Sequence, residues 1–584
     1  MSKIVYNNMI YGAVDDNVLG RPDLAPYANG VSFLQNFNVN LLGGVSRRKG
    51  LRKLFDLDAE ARIVDFVYSA ELTFLIVLTN QTLRVYNTLL ERFEGETIAT
   101  PYSDDVLSEI QYTQDASSVY FVHKDYPPYN LSYTGGTFKF STLSPICDEA
   151  YPNLFSSAHN YPGVVAFCSN RLILASSDNN PYRMWISRAF EPRNFTTYDV
   201  YNNTETTLAS YKEYPTYFEN WKAEGTNTTY SMSFVKWQND ILKTSTWWKN
   251  RQETEVNPEI GWEDVLATAP SLWYEIITID GSGNITKAVS ATCAMVLDLG
   301  SNKNDRICWI GTNYNIIIGT RSSEWVMSAE INAVNQSVRQ VSAFGAVEKQ
   351  AVAFGSKIIF LQSTGILRSI GYDSQTYSYP CLDLTQFNRS VLESGVKEIA
   401  VQRVPINRVF LVLNNGQVAI LTKNELTNAE GWSFYDSTVG KFTSLAVADT
   451  LTGQSVYAVI DNSYSKLEDE EKRYSVCVFD AEELYDLGTH NYISKLRTNP
   501  IENSTYTTLN NTKYGWSVAL RCIGTERFKV GFSNSYKKEG NASKDNIVSV
   551  ALPTSWQKDM RLEVESVEDK PINIQAILMN AEVV

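Results

Sequence analysis

Residues 397–423 of this chain read KEIAVQRVPINRVFLVLNNGQVAILTK. Apolar and polar residues alternate through three short runs, and Pro, Asn and Gly stand in the intervals between them. Alternation with a period of two predicts strands that bury one face, and the intervals predict tight turns. The stretch therefore predicts three consecutive antiparallel strands.

The same rhythm occurs seven times along the chain. The repeats begin near Arg62, Leu107, Val164, Asp305, Gln350, Lys397 and Thr443. Five of the six intervals between these starts are about 45 to 57 residues long, and the third is about 140. A repeat of roughly 40 to 50 residues with three or four strands is typical of a β-propeller, whose small sheets pack against one another. We predict a mainly β protein with a propeller core of six or seven blades.

The long interval and the two ends of the chain lie outside this repeat. We expect an N-terminal arm with strands over 1–60, the first blades over 61–195 and an inserted tip or nozzle domain over 196–304. The second group of blades follows over 305–498, and a C-terminal β-domain over 499–584. Because this last domain alternates like strands, it is a candidate partner of the N-terminal arm in one platform.

The inserted segment differs from the rest of the chain in composition. It is rich in Asn, Thr and Tyr, and its tryptophans are Trp221, Trp237, Trp247, Trp248, Trp262 and Trp273. These rings form either a compact core or an exposed binding tip. We favour a core, because large apolar patches seldom stay exposed on soluble proteins.

The charge of the chain is acidic. Its 584 residues include 51 Lys and Arg against 65 Asp and Glu, which gives a formal net charge of −14. A protein that grips DNA usually has the opposite sign, since its affinity comes largely from cations placed against phosphates. The charge argues against tight nucleic-acid binding, but an acidic protein can still surround DNA that slides past it.

One basic cluster interrupts this acidic chain, and glycines flank it. Its members are Arg47, Arg48, Lys49, Arg52 and Lys53. Two interpretations stay open. The cluster is either a solvated hairpin or a docking surface for an acidic neighbour.

Residues that carry chemistry are scarce. No Gly-rich nucleotide loop, HExxH or GxSxG motif occurs, and His123, His159 and His490 are far apart. The seven cysteines show no CxxC spacing, so we expect them to be reduced and structural. Acidic pairs such as Asp104 and Asp105 stand in polar turns, where solvated acids are the common case. We predict no catalytic residue, no metal ligand and no cofactor.

Membrane insertion finds no support in the sequence. The longest strongly apolar run, Leu72–Leu78, is far shorter than the about 20 residues that span a bilayer. The polar residues Asn7 and Asn8 come soon after Lys3, where a secretory signal would have its apolar segment. We therefore expect no membrane span.

Short motifs of another kind follow one another along the chain. In residues 36–50, NFNVNLLGGVSRRKG, an Asn precedes a strand pattern and an Arg pair precedes a Gly turn. In residues 107–131, two strand patterns end in His-x-Asp-Tyr-Pro-Pro. These two motifs are carried by Asn36, Arg47, Arg48, Gly50, His123, Asp125, Pro127 and Pro128. We expect the proline pair to force an extended exit from the second strand and to stop ladder pairing there.

Two further motifs complete the series. Residues 164–195 contain Arg-Leu, a Pro-containing turn, Trp-x-Ser-Arg and a closing Asn-Phe, whereas residues 324–345 contain Glu-Trp-Val and then Ser-x-x-Gly. These motifs are carried by Arg171, Trp185, Ser187, Arg188, Glu324, Trp325 and Gly345. We expect all the motif residues to be structural supports.

In this order and spacing the motifs resemble the tail nozzle, or tail tubular protein B, family of short-tailed bacteriophages (podoviruses). The resemblance implies a structural virion protein without enzymatic activity, which forms a homohexameric tube at the distal end of the tail. Genomic DNA would pass through the lumen during ejection without sequence-specific binding. The implied neighbours are an adaptor or gatekeeper ring and tail fibres or spikes. The implied location is the virion tail, assembled in the cytoplasm of the bacterial host.

Two other functions stay open. Propellers also host glycosidases, so the chain could be a glycosidase or depolymerase that acts on host surface glycans through two carboxylates brought together by folding. It could also be a receptor-binding protein whose Trp-rich insertion meets the cell surface.

Overall fold

A computed structural model describes the chain over residues 2–199, 289–300 and 304–583. Within these ranges it leaves out residues 20, 22, 70, 150, 425–428, 452, 463–472, 489, 502–512, 524–526, 533–536, 542–546, 553–555, 558 and 568–571. Most of the predicted inserted domain, including all six of its tryptophans, lies outside the described residues.

The N-terminal 57 residues form short strands and little helix. The elements are β1 (Ser2–Tyr6), a 3-10 turn (Asp16–Val18), α1 (Ala25–Ala28), β2 (Val31–Gln35), β3 (Phe37–Val39), β4 (Val45–Arg47) and β5 (Gly50–Leu57). Pro26 lies in the first turn of α1, where its missing N–H costs no hydrogen bond. In the described part of the chain, no helix has the length and apolar character needed to cross a membrane.

Four-stranded antiparallel sheets then follow one another as blades. Blade one is β6 (Arg62–Val67), β7 (Thr73–Thr79), β8 (Thr82–Asn87) and β9 (Arg92–Ala99). Blade two is β10 (Gln111–Gln114), β11 (Ser118–His123), β12 (Tyr126–Thr134) and β13 (Thr137–Thr142). Blade three is β14 (Val164–Cys168), β15 (Arg171–Ala175), β16 (Arg183–Ile186) and β17 (Met295–Asp298). A 3-10 turn, Asp104–Val106, joins blades one and two.

The regular order resumes after the inserted segment. Blade four is β18 (Ile307–Thr312), β19 (Asn315–Thr320), β20 (Glu324–Ser328) and β21 (Val338–Ser342). Blade five is β22 (Val352–Phe354), β23 (Lys357–Leu361), β24 (Leu367–Ile370) and β25 (Cys381–Asp383). After a 3-10 turn, Arg389–Leu392, blade six is β26 (Val396–Gln402), β27 (Arg408–Leu413), β28 (Val418–Asn424) and β29 (Ala429–Tyr435).

The seventh blade closes the ring with strands from two distant parts of the chain. It consists of β30 (Lys441–Thr450), β31 (Gly453–Asp461), β32 (Tyr474–Asp480) and β5. β32 pairs with β5 from Tyr474 opposite Leu57 to Asp480 opposite Gly50. Blade one follows β5 directly, so this ladder joins the first and last repeats. The prediction of a propeller is confirmed, with seven blades.

The blades hold together through apolar side chains between their faces. β7, TFLIVLT, is buried at six consecutive positions. A strand covered on both faces needs a nearly continuous apolar run, because each alternate side chain meets a different neighbouring sheet. Phe74 and Ile76 of blade one, for example, share a core cluster with Val119 and Phe121 of blade two.

A β-sandwich, which we call the platform, lies beside the propeller. Its C-terminal strands are β33 (Lys495–Thr498), β34 (Lys513–Cys522), β35 (Arg527–Phe532), β36 (Lys538–Asn541), β37 (Ile547–Ala551), β38 (Leu562–Ser566) and β39 (Asn573–Val583). One sheet has the order β3-β4-β39-β34-β37, and β1 also pairs with β39. The other has the order β2-β33-β38-β35-β36 and continues blade six, because Gln35 of β2 pairs with Phe434 of β29. Phe37, Phe528 and Ile577 are among the buried residues of the core between the sheets.

Three predicted domain boundaries differ from those of the structure. Residues 50–57 belong to blade seven and not to an N-terminal arm, and Met295–Asp298 belong to blade three and not to the insertion. Blade seven ends at Asp480, so Lys495–Thr498 belongs to the platform and not to the propeller. The alternating pattern identifies a strand, but it does not identify the sheet that the strand joins.

Candidate functional site

The platform and the propeller meet at a buried charge pair. The Arg48 guanidinium makes two hydrogen bonds to Asp486, of 2.6 and 2.8 Å, and neither side chain is exposed. The same guanidinium lies 3.6 Å from the centroid of the Tyr492 ring. Burial opposes the charge of Arg48, but Asp486 raises its pKa above the ordinary value. Arg48 therefore stays charged at this buried position, where water screens its interactions little.

Asn36 extends this junction to the end of blade six. Its Oδ1 accepts hydrogen bonds from Arg48 Nε and from the Asp436 N–H, both at 2.9 Å. Its Nδ2 donates to the Ile493 carbonyl at 2.9 Å. The backbone of Asn36 has φ +55°, a left-handed conformation that Asn tolerates better than most residues. One side chain thus links the arm, the propeller and the segment that enters the platform.

Arg47 and Gly50 complete the same junction. Arg47 is buried, donates to the Tyr492 carbonyl at 3.1 Å and stacks on the Tyr492 ring. A Cβ on Gly50 would lie 2.4 Å from the Tyr485 carbonyl oxygen, which explains the glycine. Both interpretations of the basic cluster are therefore wrong for Arg47 and Arg48, which lie inside the molecule. Arg52 pairs within the chain, with Asp480 and Glu91.

The His-x-Asp-Tyr-Pro-Pro motif forms a tight hairpin in blade two. β11 and β12 are joined by a two-residue turn, and Pro127 and Pro128 lie inside β12. The expectation that the prolines stop ladder pairing is wrong. The register shifts between Phe121 and His123, opposite the prolines, so the ladder passes them without their N–H groups. The Pro128 carbonyl still accepts a 2.7 Å hydrogen bond from the Leu143 N–H.

His123 and Asp125 support this hairpin. His123 is buried, and its Nδ1 accepts a 3.2 Å hydrogen bond from the Asp125 N–H. Its Nε2 lies 3.2 Å from a carboxylate oxygen of Glu109, in the segment that precedes blade two. These contacts fix the turn against the preceding connection. They give His123 a structural role.

The Glu324 motif holds the connection between blades four and five. The Glu324 side chain is buried, and its Oε1 accepts a 2.8 Å hydrogen bond from the Gly345 N–H. Its Oε2 accepts from the Ser342 hydroxyl and, at 3.2 Å, from the Phe344 N–H. Trp325 is buried beside it, and its Nε1 donates to the Ser323 hydroxyl at 2.9 Å. A single carboxylate thus organises the whole connection.

The third motif holds the root of the inserted segment, by which we mean residues 196–199 and 289–293. Arg171 is buried and donates to the carbonyls of Ala291, Cys293 and Ser187 at 2.6 to 2.8 Å. Burial lowers the pKa of Arg171, because its hydrogen-bond acceptors here are neutral carbonyls and not a carboxylate. This cation therefore ties the returning arm of the root to blade three.

The outgoing arm of the root is held by a second arginine. Arg188 Nη2 lies 2.5 Å from an Asp199 carboxylate oxygen, and its Nη1 is 3.3 Å from the Thr196 hydroxyl. The Ser187 hydroxyl accepts from the Leu172 N–H and donates to the Arg188 carbonyl. Trp185 packs edge-on against Phe155 behind them. Sequence reasoning identified the arginines but missed Asp199, whose position on the chain carries no recognisable pattern.

Arg171→Met is expected to loosen the root without unfolding the propeller. Methionine keeps most of the side-chain volume but leaves three carbonyls without their donor. Local opening near 289–293 should become easier by about 1 to 2 kcal/mol, or roughly tenfold. Limited proteolysis followed by mass mapping would measure this as faster cleavage in the root. Arg183→Met, which removes a partly exposed pair with Asp298 on the same blade, is the control. Equal root cleavage in wild type and R171M would contradict this assignment.

The axis of the propeller is crossed by hydrogen bonds between blades. Gln111 Nε2 of blade two donates to the Cys308 carbonyl of blade four at 2.8 Å. Gln350, which precedes blade five, exchanges two hydrogen bonds with the backbone of Tyr112 in blade two, at 2.9 and 3.1 Å. A cavity of about 40 Å³ lies at these contacts, and a second one of about 210 Å³, whose lining also includes Arg62, Ser108 and Glu398, lies beside it. The axis of a single subunit is not a passage for a macromolecule.

Glu398 joins blades six, seven and one at the position where the ring closes. Its Oε1 lies 3.1 Å from Arg62 Nε, and its Oε2 accepts from the Ser444 hydroxyl and the Leu445 N–H at 2.7 and 3.0 Å. Arg62 also donates to the Leu107 carbonyl at 2.7 Å. Since both oxygens already accept hydrogen bonds, this carboxylate is arranged to support the ring.

Asp65, on the innermost strand of blade one, has a pKa of about 6. Burial raises this pKa, the carboxylate of Asp449 adds to the effect, and a 3.4 Å contact with the Tyr112 hydroxyl and the charge of Arg403 oppose it. The folded state therefore favours the protonated carboxyl. The stability that Asp65 contributes is complete below about pH 4 and is lost as the pH rises through 6.

Asp65→Asn is expected to raise the free energy of unfolding by about 1 to 2 kcal/mol at pH 8 and by little at pH 4. Asparagine is neutral at both pH values, so it removes the cost of an ionised group in a partly buried position. Denaturant unfolding at the two pH values would measure the difference. Glu71→Gln, at an exposed position in the same blade, should show no such pH dependence. A gain of equal size at pH 4 and pH 8 would contradict the explanation.

Across the described ranges, no group of three or more His, Cys, Asp and Glu side chains is placed to hold a metal ion.

The strand pairing itself defines the class of protein, a seven-bladed β-propeller with a fused β-sandwich. No protein-family model matches the chain, and no curated protein matches it by sequence. Similar solved structures include the Neurospora crassa Pan2 WD40 domain, at 10 % identity and a TM-score of 0.37, covering 74 % of this chain and 96 % of that one. U3-55K has 9 % identity and a TM-score of 0.36, covering 74 % and 98 %. The RRP9 WD40 repeats have 8 % identity and a TM-score of 0.36, covering 74 % of this chain and 98 % of that one. These loose similarities carry no inference about function.

Proposed function

We propose that the chain is a structural subunit of the tail nozzle of a short-tailed bacteriophage. Six copies would form a tube at the distal end of the tail, below an adaptor ring and near fibres or spikes, and genomic DNA would leave through it. The subunit would be assembled in the host cytoplasm and would carry out no turnover chemistry.

The observation that carries this proposal is where the family-like motif residues lie. Each motif occupies a joint: the first between platform and propeller, the second at a hairpin of blade two, the third at the insertion root and the fourth between blades four and five. Their side chains form hydrogen bonds with neighbouring backbone groups or take part in buried charge pairs. Residues with such structural roles are typical of a rigid assembly subunit rather than of an enzyme active site.

The closed axis adds a geometric requirement to the proposal. Because hydrogen bonds cross the centre of each propeller, a bore for DNA would have to lie between subunits. Six copies of a chain with net charge −14 would total −84. Such a net charge disfavours tight contacts with DNA phosphates and would leave the DNA mobile.

Native mass spectrometry and electron microscopy of the full chain, alone and with its tail partners, would test the proposal. We expect a ring of six copies with an open centre that is wider than any cavity within one subunit. Purified virions should contain the chain at the tail. A chain that stays monomeric with those partners and is missing from virions would overturn the proposal.

A further inference from the structure

One face of the propeller concentrates its exposed apolar side chains. In blades one to six, the turns between strands one and two and between strands three and four emerge at the same end, which is also the end of the insertion root. Blade seven has only the first of these turns, because its fourth strand is β5. We call it the insertion face. Large apolar side chains that are exposed on its turns are Tyr68, Leu89, Leu90, Phe190, Val289, Tyr314, Val334, Tyr372, Tyr377, Val404 and Leu451.

Three of these side chains, Tyr314, Tyr372 and Tyr377, stand on turns of blades four and five, and we call them the tyrosine patch. Their exposed fractions are 77 %, 43 % and 80 %. The patch spans neighbouring turns of blades four and five, which side chains lock together. Asn313 Nδ2 donates to the Gly355 carbonyl at 2.8 Å, and Asn315 Nδ2 donates to the Tyr379 hydroxyl at 2.6 Å. Tyr379 in turn packs on Tyr372, with ring centroids 5.4 Å apart.

The loop that carries Tyr377 is built to hold it in place. The Asp373 N–H donates to the Ser378 carbonyl at 2.9 Å, and the Asp373 carboxylate accepts from the Gln375 N–H and the Thr376 hydroxyl. Tyr377 has φ +51°, a left-handed conformation that costs a side-chain-bearing residue about 1 kcal/mol. The fold gains little from a ring that is 80 % exposed. The loop therefore holds this ring at a fixed position on the surface.

The size of the patch limits what can bind to it. A tyrosine side chain offers about 150 to 250 Å², so the exposed parts of the three rings amount to roughly 300 to 500 Å². A stable protein interface needs about 800 Å² from each partner. A chain of a few sugar units fits the smaller area, because each ring can cover the C–H face of one pyranose.

We propose that the tyrosine patch binds a neutral carbohydrate chain. Gln375, Thr376 and Ser378 stand in the same loop as Tyr377 and carry neutral amide and hydroxyl groups suited to sugar hydroxyls, and the Thr376 and Ser378 hydroxyls hydrogen-bond with each other. The Asp373 carboxylate is already engaged in its own loop, and the net charge of −14 disfavours anionic glycans. This inference goes beyond the structural role proposed above, and several copies in one assembly would strengthen weak single-site binding by avidity.

The test uses the full chain on a printed array of neutral hexose and N-acetylhexosamine oligosaccharides, with sialylated and sulfated oligosaccharides as the anionic counterpart. We expect binding to one or more neutral glycans, weakened at least tenfold by Tyr314→Ala and by Tyr377→Ala. Phe190→Ala is the matched control, because Phe190 is also 77 % exposed on the insertion face with a left-handed backbone, φ +65°. Its binding should equal that of wild type. Circular dichroism would confirm that each variant folds.

Three results would overturn the inference: no binding to any neutral glycan, binding confined to anionic glycans, or neutral-glycan binding that survives both tyrosine substitutions. Native mass spectrometry of Tyr377→Ala separates this test from that of the nozzle. We expect the variant to keep the oligomeric state of wild type. Loss of the oligomer would instead place the patch in a contact between copies and would also overturn the inference. A wild-type chain that binds glycans as a monomer would refute only the nozzle.

Discussion

Asp486→Ala should lower the free energy of unfolding by about 3 to 5 kcal/mol. The substitution leaves the Arg48 guanidinium charged and fully buried, with its bidentate partner gone. The substitution also removes the carboxylate that accepts a hydrogen bond from the Ser437 hydroxyl. Urea unfolding followed by tryptophan fluorescence would measure the loss. We also expect proteolytic cleavage around residues 486–493, at the platform–propeller junction, to begin earlier than in the wild-type protein.

Two matched variants separate burial from charge in this prediction. Asp23→Ala removes the exposed pair with Arg21 and should leave stability almost unchanged, because water screens this pair. Arg48→Met combined with Asp486→Ala removes both buried charges and should recover much of the loss. If the double variant instead has a free energy of unfolding well below that of Asp486→Ala alone, the two buried charges do not depend on each other as described.

Gly345→Ala should cost about 3 kcal/mol or more, the second large effect. The glycine has φ +77°, and an added Cβ would lie 2.1 Å from the Arg321 carbonyl oxygen. Backbone cannot yield as a flexible side chain can, so the connection held by Glu324 would have to move. The same urea unfolding measurement applies.

The chain supplies a close control for this second prediction. Gly365 has the same φ of +77°, but its added Cβ would meet nothing within 4 Å. Gly365→Ala should therefore show only the backbone cost of about 1 kcal/mol. Equal losses for the two variants would mean that the close approach to Arg321 contributes nothing.

The propeller could be predicted from sequence because its signal is local. Each blade repeats strands and turns within about 45 residues, so alternation and spacing suffice. The closing strand could not be placed in the same way, because β5 pairs with β32 more than 400 residues later. Its own pattern is that of any half-buried strand. The wrong boundary at residue 60 follows directly from this distance.

For a similar reason, the sequence predicted the motif residues of the candidate site but not their partners. The motifs identified Arg48, Arg171 and Glu324 as supports, but their partners carried no signal of their own. Asp486 is 438 residues from Arg48, and the carbonyls that hold Arg171 are backbone groups that any residue has. The basic cluster was misjudged because Arg and Lys are usually exposed, and only a partner found by folding makes burial tolerable.

The closure of the ring by β5 also affects how the protein is made. At about 5 to 20 residues per second, the ribosome needs roughly 20 to 80 s after finishing β5 to produce the strand that pairs with it. During that time the earliest blade lacks one neighbour and its apolar face stays open to other nascent chains. Completion of the ring is therefore a late event of synthesis.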